Sequence, residues 1–176
     1  SADPPGGWPR ALHPYLGQIS PGFQSWMGHH FEEYERAFIR EDGRVVDPEN
    51  AGVTHSEGQG YGMLLALVAD DRATFDRVWR FARDELQRAD GLFSWRWDPR
   101  STPHVTDRNN ATDGDILIAT ALGLAAERWR IPEYRIQARR IAKAIGRNLI
   151  VYHDGHFVLM PGLEGFGKPY HAISAE

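Results

Sequence analysis

The chain has 176 residues, of which 41% are hydrophobic and 25% charged, and it contains no cysteine. That suffices for one globular domain with a packed core, and it excludes a disulfide framework and a thiolate metal site. The formal net charge of −4 comes from 20 basic and 24 acidic residues mixed along the chain, so no basic face for nucleic acid is expected. No apolar run reaches the ~18 residues of a membrane-spanning helix, so no membrane insertion is expected either.

Residues 1–21 are rich in proline and glycine and lack periodicity, which predicts an irregular arm packing through Trp8 and Tyr15; residues 22–176 read as one domain. The start has neither a basic nor an apolar segment of the signal-peptide kind, so an exported form would already have lost its leader. From Phe23, apolar residues recur at Trp26, Met27, Phe31, Tyr34 and Phe38 with helical spacing, and Asp42-Gly43 breaks the pattern. Ser56 opens a second helix, with Gln59 three residues on in a capping-box arrangement and Met63–Val68 as its apolar run. Asp70 or Asp71 caps a third, whose buried stripe is Phe75, Val78, Trp79, Ala82 and Leu86.

Residues 89–110 predict a loop or short hairpin, with Asp90-Gly91 as turn and Trp95 and Trp97 alternating on one face. Thr112 caps a fourth helix, with Asp115 three residues later supporting its start. Pro132 fits the first turn of a fifth, running through Ile136, Ile141, Ile145 and Leu149. Tyr152–Met160 reads as a strand or hairpin about Asp154-Gly155.

Two acids stand at helix starts beside polar, glycine-rich sequence: Glu57 in Ser-Glu-Gly-Gln-Gly-Tyr-Gly and Asp113 in Asn-Asn-Ala-Thr-Asp-Gly-Asp. Glycines 58, 60 and 62 each cost a helix roughly 1 kcal/mol relative to alanine, a cost that close approach by a ligand or another helix would explain. Carboxylates beside the flat rings of Tyr61, Trp95 and Trp97 suit a carbohydrate site, where an acid protonates the glycosidic oxygen and rings stack on sugars. The plain alternative is that each acid only complements a helix dipole, and that stripe tryptophans such as Trp79 and Trp129 belong to the core.

Residues 111–129, Ala-Thr-Asp-Gly-Asp-Ile-Leu-Ile-Ala-Thr-Ala-Leu-Gly-Leu-Ala-Ala-Glu-Arg-Trp, resemble the signature of family 8 glycoside hydrolases. Arg44–Met63, with Val-Val-Asp-Pro before Ser-Glu-Gly-Gln-Gly-Tyr-Gly-Met, is similar to that family's general-acid region, most of all in the endoglucanases associated with bacterial cellulose synthesis. The resemblance implies an all-α fold, the N-terminal half of an (α/α)6 barrel with short β-hairpins in its loops. It implies an inverting endo-1,4-β-glucanase acting on β-glucan polysaccharide or oligosaccharide, without cofactor or metal. Glu57 takes the place of the proton donor and Asp113 that of the acid that holds and distorts the sugar. Trp97, Trp95, Tyr61 and Asn110 become candidate substrate contacts. A periplasmic or secreted location and a link to the cellulose synthase machinery would follow. The base of such an enzyme would lie beyond Glu176, so the present chain alone is expected to be inactive and to expose apolar surface.

Two rival readings compete. One is a non-catalytic glucan-binding module that keeps Trp95, Trp97 and Asp113 as a groove. The other is a metal enzyme using His29, His30, His55, His104, His153 or His156, whose spacing matches no zinc motif.

Overall fold

A computed structural model of the chain describes residues 21–166 and 171–172; Trp8, Tyr15 and the rest of the expected arm up to residue 20 lie outside the described residues. Five α-helices follow one another: α1 (Pro21–Phe38), α2 (Ser56–Val68), α3 (Arg72–Phe81), α4 (Thr112–Trp129) and α5 (Pro132–Asn148). A π-helical turn, Ala82–Leu86, prolongs α3. Short strands occupy the connections. β1 (Thr54–His55) pairs antiparallel with β2 (Arg96–Trp97). β3 (Ile150–His153) lies between β4 (His156–Leu159) and β5 (His171–Ala172). The β3–β4 turn is Asp154-Gly155, both at positive φ, which suits a tight two-residue hairpin.

The helices differ in how their apolar residues are arranged, and that difference sorts them. Beyond their polar first turns, α2 and α4 are apolar on nearly all sides, as helices enclosed by protein are. In α3 and α5 one apolar stripe opposes a charged face, as in helices that border solvent. The α3 stripe falls as expected: Phe75, Val78, Trp79, Ala82 and Leu86 are all buried in one cluster with Met63, Leu67, Ile118 and Leu122. In α5 the expected stripe needs one correction. Ile136 is 58% exposed, whereas Tyr134, Ile141 and Leu149 are buried. Five residues separate Ile136 from Ile141, about 140° around the helix, so the two cannot share a face.

Glycines 60 and 62 serve helix packing. A Cβ on Gly60 would stand 2.6 Å from Leu117 Cβ and 3.3 Å from Ile118 N, and one on Gly62 would stand 2.8 Å from a Val45 methyl. At the start of α4, a Cβ on Gly114 would fall 2.9 Å from Glu57 N. Positions 114 and 60 thus meet 56–57 and 117–118, rising together along both helices, so α2 and α4 run parallel and start side by side. The intervening α3 carries the chain back.

Both expected capping boxes are absent. His55 and Ala111 are the N-caps of α2 and α4, and neither side chain caps its helix. Gln59 is fully buried and reaches across the fold: its carbonyl accepts from Val45 N (2.7 Å), and its amide donates to Gly43 O (3.1 Å) and Val78 O (3.0 Å). Thr112 donates through Oγ1 to Met160 O, and its backbone N donates to Pro161 O at 2.9 Å. Tertiary partners have won these side chains because a buried polar group left unpaired costs about 1–3 kcal/mol. For the third helix the expectation holds at Asp71, whose carboxylate accepts from Thr74 N at 2.9 Å.

Apolar exposure concentrates away from the α3 stripe. Phe157 is 72% exposed and packs edge-on against Tyr152, itself 53% exposed, with Leu159, Leu163 and Phe166 also open to solvent.

Candidate active site

The shared start of α2 and α4 is held by the loop between α3 and α4. Ser56 N donates to Trp95 O at 3.0 Å, and β1–β2 pairing extends that seam to Trp97. On the other side, the buried Asp115 carboxylate accepts from Phe93 N (2.8 Å) and from Asn110 Nδ2 (2.7 Å). Residues 93–97 therefore bridge both inner helices, and Glu57 and Asp113 stand in the first turns so aligned. The positive ends of two parallel helix dipoles converge there, where they stabilise negative charge.

Glu57 is half-buried and lines an open groove of about 330 Å3 with Tyr34, Phe38, Asp47, His55 and Tyr61. Tyr61 is 49% exposed and offers its ring to the groove. His55 stacks on Trp95, with ring centroids 5.7 Å apart and planes at 19°, and lies 3.8 Å from the Asp47 carboxylate. Hydrogen bonds from Asn50 hold that carboxylate below its usual range. Asp113 is exposed on the neighbouring helix, outside the groove lining, and accepts from Gly114 N at 2.7 Å. The structure thus gathers Glu57 and Tyr61 in one groove, brings Trp95 to its wall through His55, and sets Asp113 beside it. Asp47 was not singled out from sequence, and His55 was named only as a candidate metal ligand; the Asp-Pro turn, in which Asp47 accepts from Glu49 N and Asn50 N, was the available signal.

Two candidate sugar contacts are committed elsewhere. Trp97 is only 9% exposed: it stacks on His104 at 4.2 Å, lies under the Arg44 guanidinium at 4.7 Å and donates from Nε1 to Glu85 at 3.2 Å. It is a packing residue beneath the loop. Asn110 is likewise buried, one end of its carboxamide on Asp115 and the other accepting from Leu163 N at 2.8 Å. Alternation in the sequence shows which residues share a face and leaves open whether that face is covered. The histidines of the metal reading go separate ways: His29 and His30 lie beside Glu33, His55 on Trp95 and His104 on Trp97. Among the described residues no cluster of three or more ligands forms.

Asp115 does more than support a helix start. Burial pushes its carboxyl up to about 7, against the opposing hydrogen bonds from Asn110 and Phe93. A carboxyl of raised pKa binds its proton more tightly in the folded chain, so its contribution to stability is full below about 4 and is lost as pH climbs towards 7. Over that window the loss is about 1.4 kcal/mol per pH unit. We expect the melting temperature to fall from pH 5 to 7, and Asp115→Asn, although less stable in absolute terms, to flatten that fall. Parallel melting curves for both proteins would reject this assignment if the slopes coincide.

Carboxylates thus stand on the starts of parallel inner helices, returned by solvent-facing ones and flanked by an exposed aromatic ring. Residues 18–174 match Glycosyl hydrolases family 8, and the chain belongs to that family. A probable endoglucanase of Novacetimonas hansenii is 47% identical over 136 residues, covering 77% of this chain and 40% of the relative. An endoglucanase of Cellulomonas uda is 37% identical over 149 residues, covering 84% and 42%. Among solved structures, the endo-beta-1,4-glucanase CMCax of Acetobacter xylinum superimposes with a TM-score of 0.79 at 44% identity, covering 82% of this chain and 46% of that one. These structures are (α/α)6 barrels, and the present helices form part of such a barrel. The chain spans about two fifths of the length of the curated relatives it matches.

Proposed function

We propose that the full-length protein hydrolyses β-1,4-glucan of the cellulose type from within the chain, with inversion at the anomeric carbon. The observation that carries this reading is the join at Gly114, which sets Asp113 beside the groove where Glu57 and Tyr61 stand together. Glu57 donates its proton to the glycosidic oxygen as the C1–O bond breaks. A water molecule, losing a proton to a second carboxylate roughly 6.5–9.5 Å from the acid, adds to C1 from the opposite face. We assign that base to residues beyond Glu176. Asp113 holds a sugar hydroxyl in the distorted ring at the cleavage point. A periplasmic or secreted location, alongside the machinery that makes cellulose, accords with this activity.

Proton NMR of a fresh digest of soluble β-1,4-glucan tests the reading, with mixed-linkage glucan, chitosan and xylan as comparisons. The α-anomer should appear first and chain length should drop early. A β-anomer first would overturn inversion, and binding without cleavage would point to a glucan-binding module. Asp113→Asn should lower kcat by more than it raises KM, because its hydrogen bond strengthens in the distorted state. A rise in KM alone, with kcat unchanged, would assign Asp113 to uniform binding.

A further inference from the structure

Charge that is mixed along the sequence is not mixed in space. The solvent side of α5 carries Arg139, Arg140, Lys143 and Arg147, all exposed, around a concave site of about 720 Å3 closed on its far side by Asp90. Several other cations are paired: Arg77 lies 2.7 Å from Glu35, Arg83 2.7 Å from Asp84, and Arg135, at the start of the same helix, meets Glu127. Among the described residues, Arg139, Arg140, Lys143 and Arg147 have no such partner, although Arg135 on the same helix does. Asp90 does not neutralise them, since Arg88 holds its carboxylate at 2.9 Å. Like charges one helical turn apart, as in Arg139/Lys143 and Lys143/Arg147, repel one another. The helix C-terminus accounts for a cation at Arg147 but not for the three before it.

We propose that this face of α5, with the turn at Asp90-Gly91, binds an oxyanion of the phosphate class. Guanidinium forks match two oxygens at once, and an ammonium adds a point charge, so this set suits a multiply charged tetrahedral anion better than a single carboxylate. The floor is fixed: Gly91 sits at φ +97°, and a Cβ there would touch Ala144 at 3.4 Å and Arg140 at 3.7 Å. The site shares no lining residue with the groove at Glu57, and its occupancy does not depend on the hydrolase reading.

The chain should be titrated with sodium pyrophosphate at low ionic strength. In parallel it should be sedimented with vesicles of mixed phosphatidylglycerol and phosphatidylcholine, against phosphatidylcholine alone. Pyrophosphate binding would identify a free oxyanion, and binding to anionic vesicles alone would identify a lipid headgroup; either supports the site. Arg140→Glu/Lys143→Glu should weaken binding about tenfold or more, since each ion pair near 4 Å in water is worth about fivefold. The charge-matched pair Arg36→Glu/Arg40→Glu, at the end of α1 and just beyond it, should leave it intact. If the reversal pair misfolds, Arg140→Gln/Lys143→Gln serves, and amide shifts confined to Gly91, Gly146 and Asn148 on pyrophosphate addition give an independent reading. Binding in neither arm, equal loss in the control pair, or shifts elsewhere would overturn the proposal.

Discussion

Glu57→Gln is expected to abolish hydrolysis by the full-length protein while leaving oligosaccharide binding within a few-fold of wild type. The amide matches the carboxyl in shape and can still hydrogen-bond a sugar, but it has no proton to give to the leaving oxygen. General-acid catalysis contributes ~10²–10⁴-fold, so turnover of an unactivated glucan should fall at least a hundredfold. A substrate whose leaving group needs no protonation should lose far less, which separates a missing proton from a damaged groove. Turnover within about tenfold of wild type on unactivated glucan would remove Glu57 from the role.

Gly114→Ala is the second large effect, and it acts on stability and activity through one contact. Its Cβ would stand 2.2 Å from Ser56 Oγ and 2.9 Å from both Ser56 Cβ and Glu57 N, closer than such atoms approach. Part of that contact is backbone, so the two helix starts must separate. Overpacking of this kind costs about 1–3 kcal/mol. A shift near 1 Å between catalytic groups can cost on the order of 10²-fold in rate. Gly146→Ala is the matched control: nothing lies within 4 Å of its new Cβ on the exposed side of α5, so helix propensity alone should stabilise by about 0.5–1 kcal/mol. Melting temperature and turnover of the two variants should move in opposite senses for the first quantity and together only if the geometry at Gly114 is irrelevant.

The helices were legible because their information is local. Apolar spacing marks α1 to α5, Asp71 caps α3, and Pro132 opens α5. What sequence misread were side chains whose partners lie far along the chain. Ser56/Gln59 and Thr112/Asp115 have the form of capping boxes, yet Gln59, Thr112 and Asp115 are taken by Val45, Met160 and Phe93, contacts that local pattern cannot rank. Trp97 and Asn110 are buried away from the groove for the same reason: residue type suggested a platform and an amide donor, while burial by Arg44, His104 and Leu163 is a tertiary fact. Glu57 and Asp113 were visible through motif, and their adjacency became visible only when the parallel course of α2 and α4 was known.

Residues 93–97 are sewn to both inner helices, whereas 99–103 lie at the surface beyond Asp98, which Arg96 and Arg100 clasp at 3.1 and 2.9 Å. Residues added or deleted in the surface part alter the rim and leave the sewn part, with its spacing of Glu57 to Asp113, undisturbed. On the proposed reading, lineages of such enzymes can then try new sugars by trading loop lengths there, while the apparatus that breaks the bond is inherited whole.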